Sequence, residues 1–525
     1  MKILFRKRPL VRALLAGLAL CWGGVSLCAE TKSAHVAGKK GRSPNILFIM
    51  SDDHTTQAIG AYGSRLANLN PTPNIDALAN NGMRFDRVFC NNSICTPSRA
   101  SIITGQYPQR NGVLDLNDSL GLENQYLPME MKKAGYQTAM IGKWHLKKEP
   151  AAFDYYSVLP GQGKYHNPAF RVRGDKPWPR NIIKKTGMHS SDAITDVSLD
   201  WLENRRDKRK PFFLMHHFKA PHDLFENAKR YDNYLKDVEI PEPENLLRPP
   251  DGSAATRGMG SGVGRTHAPW TLAKKLGILE NLDERSYAQA GYQKYLKRYL
   301  RCVKGVDDNV KRLIDYLRET GELDNTVIIY TGDQGFFLGE HDLMDKRWIY
   351  EESMRMPFIV QWPNGIQKGS ANNWLINNTD FAPTMLELAG IAKTPPYMQG
   401  RSFAAALRGE AKPHDWRTSV YYRYWMHLAH SLKVPAHFGI RGDRYKLIFF
   451  YGCTPKGAKQ TPAAWEFYDL KNDPFEMHNL YANPEYREII AKMKAELKRT
   501  REDLDETDEK YPKIQTIIDA HWLQK

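Results

Sequence analysis

Two oxygen-donor pairs stand far apart in the chain, Asp52-Asp53 and Asp333-Gln334. Each closes a largely apolar run, Asn45-Ile-Leu-Phe-Ile-Met50 in the first case and Thr326-Val-Ile-Ile-Tyr-Thr331 in the second. Three carboxylates and an amide oxygen are hard ligands, suited to Ca²⁺ or Mg²⁺ and unsuited to a thiolate-seeking metal. One Asp at a strand end would be no more than a turn residue. Two clusters behind equally apolar runs argue for a cation. A third feature is Cys95-Thr-Pro97-Ser98-Arg99. Pro97 suits the first turn of a helix running on from Ser98, which puts residue 95 beside the helix N-terminus. Free N–H groups and the positive dipole end there favour an oxyanion, and Arg99 adds a rigid fork of donors. An isolated cysteine is ordinarily buried or disulfide-bonded, and Cys90 is a candidate partner. The agreement of the neighbouring residues weighs against that reading for Cys95.

These groups need a frame. The runs at 45–50, 211–218 and 326–331 are the pattern of strands buried on both faces. A short strand is expected at 137–141, and helices at 74–82, 126–134, 196–205 and 381–388. Tyr295, Tyr299, Val303, Val306, Val310, Leu313 and Leu317 recur at helical spacing, so a long amphipathic helix fills that stretch until Gly321. In open α/β sheets, functional groups collect beyond the carboxyl ends of the strands. The alternation predicts an α/β fold, a large mixed sheet sandwiched by helices. Residues 222–286 read as an irregular excursion of the kind that shapes a substrate pocket, with 258–264 nearly structureless. After about residue 395 the pattern changes to short half-buried strands near 421–424, 438–441, 445–451 and 465–469, then a closing helix at 484–502. A catalytic domain at 44–395 and a smaller α+β subdomain at 396–525 are therefore expected.

The chain has 525 residues, 42% hydrophobic and 26% charged, an ordinary globular balance long enough to bury a real core. Six cysteines exclude a cystine scaffold, and 11% aromatics spread along the chain exclude general disorder. Lys2, Arg6, Lys7, Arg8 and Arg12 precede an apolar run at 13–27 and then Cys28-Ala29. This is the pattern of a signal peptide at 1–29, too short and glycine-rich to span a membrane, followed by a disordered lead-in at 30–43. The protein is thus expected to be secreted or periplasmic. The formal net charge of +16 remains basic without the leader. Such a balance admits nucleic acid, an anionic membrane or an acidic substrate. The basic residues are scattered apart from Arg205 to Lys210, which reads as a solvated helix end. Export argues against nucleic acid, and an anionic extracellular substrate fits best.

Cys95-x-Pro97-Ser98-Arg99, followed by Ala-Ser and Thr104-Gly105, resembles the signature of type I sulfatases, in which the cysteine is oxidised to formylglycine. The resemblance extends over most of the chain. Gly135-Tyr-Gln-Thr-Ala-Met-Ile-Gly-Lys143-Trp-His145 is similar to the second family signature; it implies that Lys143 binds sulfate and His145 contacts the formylglycine. Ala220-Pro221-His222 resembles the stretch with the other catalytic histidine, and Asp345-Lys346-Arg347 the stretch with the second sulfate-binding lysine. Asp52, Asp53, Asp333 and Gln334 fall on the family's metal-ligand positions, with residue 95 as a further ligand. Gln334 replaces a commoner Asn but keeps the carbonyl oxygen. The resemblance implies an alkaline-phosphatase-like fold, Ca²⁺ with Mg²⁺ as the alternative, catalytic roles for Cys95, Arg99, Lys143, His145, His222 and Lys346, and a formylglycine-generating maturation enzyme as partner.

Two longer segments, Asp333 to His341 and Phe153 to Gly163, are similar to bacterial carbohydrate sulfatases, particularly those acting on N-acetylglucosamine 6-sulfate in mucin O-glycans or glycosaminoglycans. His341, His437 and Arg441 are the candidates for contacting the sugar, although packing of His437 on Phe438 is an equal alternative. His54, His216 and His217 read as core or surface residues. Two other functions compete: a phosphate or phosphonate ester hydrolase of the same superfamily, and a sulfated-glycan binding protein without catalysis. The presence of every expected catalytic side chain argues against the second.

Overall fold

A computed structural model describes residues 43–174, 176–253, 272–279 and 281–523. The expected signal peptide, nearly all of the lead-in and residues 258–264 lie outside the described residues. Strands β1 (Asn45–Asp52), β2 (Met83–Phe89), β3 (Gln137–Gly142), β4 (Tyr155–Val158), β5 (Ala169–Val172), β6 (Ile182–Lys184), β7 (Phe212–Pro221) and β8 (Thr326–Gly332) come first. A small hairpin, β9 (Phe337–Leu338) and β10 (Met344–Asp345), precedes β11 (Arg355–Gln361), β12 (Ser370–Asn372) and β13 (Ile376–Asn377). Apart from the hairpin, these form one sheet in the order β12-β2-β11-β8-β1-β7-β3-β4-β5-β6, with β13 also on β2. The centre, β8-β1-β7-β3-β4, is parallel, while β11 runs antiparallel to its neighbours, as do β5 and β6 to theirs.

The continuous apolar runs arise because both faces of the central strands are covered. Ile46, Phe48 and Met50 of β1 enter one core layer with Phe213, Met215, Val327 and Ile329. Leu47 and Ile49 enter the other, against Tyr299, Val303, Val306 and Val310 of the long helix Glu284–Glu319. Each such side chain contributes about 1.5–3 kcal/mol by leaving water. The helix Phe381–Leu388 has the expected bounds, whereas the helix expected at 196–205 begins earlier, at Ser190, under a cap from His189. The basic run after it is taken up by intramolecular ion pairs, Arg205 with Asp200, Arg206 with Glu322, Lys208 with Glu203 and Arg209 with Asp207.

A second, antiparallel sheet follows in chain order, β14 (Ser419–Tyr424), β15 (His437–Gly442), β16 (Tyr445–Phe450) and β17 (Ala464–Asp469). Phe438, Ile440, Leu447, Phe449 and Phe467 of this sheet share a core with Ile490, Met493 and Leu497 of the helix Arg487–Asp503. Residues Ser43–Lys525 hold together as one compact unit, so the small sheet is a subdomain of the larger body.

Candidate active site

The carboxyl ends of the parallel strands deliver the chemistry-bearing groups to one place. Strands β1 and β8 pair in register with Ser51 opposite Gly332, so Asp52 and Asp333 emerge side by side. The Asp53 backbone turns at φ 66°, and its N–H donates to Asp333 Oδ1 at 3.1 Å. Its carbonyl accepts from the Tyr299 hydroxyl at 2.7 Å. Ligand oxygens of Asp52, Asp53 and Asp333 lie within 4.8 Å of one another. Gln334 Nε2 donates to Asp53 Oδ1 at 2.5 Å. Asp52 Oδ1 and Gln334 Oε1 are buried and accept no hydrogen bond. Orphaned oxygens are rare in protein interiors, and one on a carboxylate of this cluster with another on the adjoining amide fit a hard divalent cation.

Cys95 opens the helix Cys95–Thr104, every residue of which is buried. Both Cys95 and Cys90 are free thiols, and Cys90 Sγ faces Ser93 Oγ at 3.3 Å. One turn on, Arg99 donates from Nε and Nη2 to Asp333 Oδ2 at 3.0 and 2.9 Å, and from Nη1 to the Lys143 carbonyl at 2.5 Å. Lys143 follows Gly142 at the end of β3, where φ is 102° and a Cβ would meet the His217 carbonyl at 1.9 Å. Only glycine allows that approach. Lys143 Nζ donates to Asp52 Oδ2 and, at 2.6 Å, to Gln162 Oε1. Lys346, just past β10, places Nζ 2.6 Å from both oxygens of Asp53. The His145 ring lies beside the start of the Cys95 helix, with Thr96 Oγ1 3.4 Å from its Nδ1, and the His145 carbonyl accepts from the same hydroxyl at 3.1 Å. His222, directly after β7, sets Nδ1 2.7 Å from Asp223 Oδ1 and Nε2 3.8 Å from Asp53 Oδ2.

Burial and charge divide these groups into opposite states. Burial raises Asp333 well above the usual carboxylate range, and Asp52 adds to the rise. Asp53 is pushed up to about 6 by burial, against the pull of Lys346. Burial would raise Asp52 too, but Lys143, His222 and Arg99 together hold it well below its usual range. For Cys95, Lys143 and Lys346 outweigh burial and lower the thiol well below its ordinary value. Burial would lower His222, yet Asp52 and Asp53 raise it to about 10, whereas burial lowers His145. The two histidines are thus driven in opposite directions, His222 toward its acid form and His145 toward its neutral form.

These groups border a cavity of about 220 Å³ lined by Cys95, His222 and Lys346 together with Gln162, Asp223, Asp345, Arg347 and His430. A nucleophile position at a helix N-terminus, ringed by cations and set beside a hard-metal cluster, is equipped to cleave an anionic ester. Residues 44–391 match the sulfatase family model. The chain belongs to the sulfatase family. It is accordingly a sulfuric ester hydrolase on the alkaline-phosphatase-like fold. Residues 339–503 of this sulfatase also match the model of the N-sulphoglucosamine sulphohydrolase C-terminal region. The sulfatase is 40% identical to an N-acetylglucosamine-6-O-sulfatase of Bacteroides thetaiotaomicron, over 90% of this chain and 87% of that one. It is 29% identical to the human N-acetylglucosamine-6-sulfatase, over 73% of this chain and 67% of that one. A solved structure in complex with its substrate D-glucosamine-2-N,6-O-disulfate superposes with a TM-score of 0.80 at 37% identity, covering 89% of this chain and 100% of the other.

The sulfatase gathers Asp52, Asp53, Cys95, Arg99, Lys143, His145, His222, Asp333, Gln334 and Lys346 in one site, as their motifs imply. It does not bring His341, His437 or Arg441 to the cavity, which corrects the expectation that they face the sugar. His341 is fully buried between Phe337 and Tyr350, with Nε2 3.6 Å from Glu352 Oε2. His437 lies among Trp348, Tyr422 and Phe450, and its Nδ1 is 2.8 Å from the Pro435 carbonyl. Arg441 grips both oxygens of Glu351, at 3.1 and 3.0 Å. Aromatic packing claims the two histidines, and an ion pair with Glu351 claims Arg441. His54, His216 and His217 are buried residues bonded to Tyr330, Ser198 and the Lys143 carbonyl, in keeping with a core reading. Sequence reasoning missed Gln162, Asp223, Asp345, Arg347 and His430. The first four lie inside or directly beside the recognised segments, so proximity to a motif was a usable signal. His430 arrives from the C-terminal subdomain, where its Nδ1 accepts from Arg347 Nη2 at 3.2 Å, and nothing local marks it.

Proposed function

We propose that this sulfatase removes the 6-O-sulfate of N-acetylglucosamine residues in mucin O-glycans or glycosaminoglycans. Cys95 acts as formylglycine, and Asp52, Asp53, Asp333 and Gln334 hold Ca²⁺, with residue 95 as a further ligand. The observation that carries the reading is a cation-ringed cavity at the N-terminus of the Cys95 helix, in a chain 40% identical to an N-acetylglucosamine-6-O-sulfatase. The 37% identical neighbour solved with a 6-O-sulfated glucosamine supports the same sugar. Read as a signal peptide, residues 1–29 support export to a secreted or periplasmic location, where such glycans are met. A formylglycine-generating enzyme is the maturation partner this requires.

The formylglycine and the cation together supply a nucleophilic oxygen at neutral pH. Lys143 and Lys346 bind the sulfate oxygens and, together with Arg99, offset the charge that builds on the transferring group, where most of the stabilisation in such transfers arises. His222 donates a proton from Nε2 to the departing sugar oxygen, oriented by Asp223 at Nδ1. His145, kept neutral by burial, accepts a proton from the side chain of residue 95 in the step that frees sulfate. Asp333 fixes the Arg99 guanidinium by bonds from two of its nitrogens, which aligns it for the anion.

The test is sulfate release from a panel of sulfated monosaccharides, using protein whose Cys95 peptide has been checked by mass spectrometry for the aldehyde. Release from N-acetylglucosamine 6-sulfate, abolished by Cys95→Ala, is the expected result. Release from another sulfate overturns the choice of sugar. Turnover of N-acetylglucosamine 6-phosphate in place of every sulfate favours the phosphate ester hydrolase instead.

A further inference from the structure

A groove of about 600 Å³ shares two chain segments with the catalytic cavity, and no step of the reaction uses it. Two chain segments line both spaces. Residues 162–167 start at Gln162 in the cavity and end at His166 and Asn167 in the groove. Residues 222–230 start at His222 and end at Lys229 and Arg230. Tyr165, in the first of these segments, ties the two together. Its hydroxyl donates to the His222 carbonyl, its ring stacks on His189 at 5.5 Å, and the Lys219 ammonium sits 4.6 Å from its centre.

The floor of the groove continues the β5–β6 ladder at the edge of the large sheet. Lys185 N–H donates to the Pro168 carbonyl at 2.8 Å, Asn167 N–H to the Met188 carbonyl at 2.9 Å, and Gly187 N–H to Asn167 Oδ1 at 2.7 Å. The sheet edge thus opens directly into the groove, and that edge is strongly basic. From Arg171 to Lys185 the chain carries six cations and one acid, Asp175. Lys176, Arg180, Lys184 and Lys229 are exposed, and among the described residues none of them makes an ion pair. Of the acids in the groove, Asp192 is bridged by both terminal nitrogens of Arg230 at 2.7 and 2.6 Å, and Asp232 accepts from Asn227 at 2.9 Å.

Lysine on an edge strand often serves only to block strand-to-strand association. That role needs neither a groove nor the exposed Lys229 on its other lining segment. Unpaired like charges repel one another and raise the local concentration of an oppositely charged ligand. We infer that the groove and the basic edge form a docking track for the anionic glycan beyond the sugar being desulfated, so that the enzyme favours chains over single sugars. The inference rests on the substrate reading above and adds where the rest of the chain lies.

The test compares kcat/KM on N-acetylglucosamine 6-sulfate with that on a sulfated tetrasaccharide bearing the same sugar at its non-reducing end. Wild-type enzyme is expected to favour the tetrasaccharide through a lower KM, by roughly tenfold, the scale of a few solvent-exposed charge contacts. The triple variant Lys184→Glu, Lys185→Glu, Lys229→Glu should lose that advantage and keep the monosaccharide rate. Raising the salt concentration should erode the wild-type advantage in parallel. The corresponding triple glutamine variant guards against misfolding of the charge-reversed protein and should lose most of the advantage too. An equal preference in wild type and variants, or none in the wild type, overturns the track. If wild type releases no sulfate from either substrate, the substrate reading fails by itself. Calorimetric binding of the tetrasaccharide to wild type and variants then decides the track, with equal affinities counting against it.

Discussion

Arg99 and Asp333, 234 residues apart, are joined by two hydrogen bonds to a single carboxylate oxygen, and neither side chain is more than 1% exposed. This pair ties the first turn of the Cys95 helix to the end of β8 and so fixes the anion-binding end of the helix over the acidic cluster. Breaking a buried pair from one side leaves the other charge without compensation. Arg99→Ala is expected to cost about 3–5 kcal/mol of stability, read from denaturant unfolding, and to abolish sulfate release. Arg99→Lys keeps the charge but loses the fork, and should recover stability more than activity. Wild-type stability in the alanine variant would contradict this account of the pair.

Three buried carboxylates, with Asp52 Oδ1 and the Gln334 amide oxygen accepting no hydrogen bond, form a cluster whose donors suit a hard cation. Exhaustive chelation should lower Tm and remove activity, and Ca²⁺ should restore both. A free concentration a hundred times Kd contributes about 2.7 kcal/mol. Titration with Mg²⁺ distinguishes the two cations, since Mg²⁺ demands a tighter octahedral shell than a cluster of side-chain oxygens readily supplies. A Tm and a rate indifferent to chelator would rule out the metal site.

His222 is raised to about 10 by Asp52 and Asp53 in spite of its burial, so its acid form persists at neutral pH. A proton-donating role is then full below that value and is lost as pH rises through it. A cation on the two aspartates cancels part of the charge responsible, so the alkaline limb of kcat should fall below pH 10 in the loaded enzyme. His222→Gln should lack that limb and slow sugar-sulfate hydrolysis by about 10²–10⁴-fold. Aryl sulfates with an acidic phenol as leaving group need no proton and should lose far less. Equal losses on both substrates would remove His222 from the proton-donor role.

His437 and Arg441 stabilise the small sheet and stand outside the cavity. His437→Ala and Arg441→Ala should each lower stability by about 1–3 kcal/mol, the range for buried packing and paired charges. KM for N-acetylglucosamine 6-sulfate should stay unchanged in whatever fraction folds. A raised KM at unaltered stability would return them to the substrate site.

Much of the frame was legible because the central strands are covered on both faces, and double-sided burial writes itself as an unbroken apolar run. Strands β2 and β11 were not read. Arg84, Asp86 and Arg87 interrupt the first, which is only half-buried in the middle, and Pro357 interrupts the second. The weak β4–β5–β6 ladder went unread for a related reason: its outermost strand, Ile182–Lys184, is exposed along its whole length.

The site divides along the same line. Local sequence was enough to point to the hard donors after β1 and β8 and to the helix start that favours an anion, whereas the lysines and histidines came only through the family resemblance. Those features depend on residue type and on neighbours within a turn or a strand. Tertiary structure decided the rest. It set Lys346 on Asp53 and Lys143 on Asp52, buried His341 and His437 in aromatic cores, and carried His430 from the C-terminal subdomain to Arg347. Each of these outcomes follows from strand register and from the packing of segments distant in the chain, and no local pattern of residues encodes either.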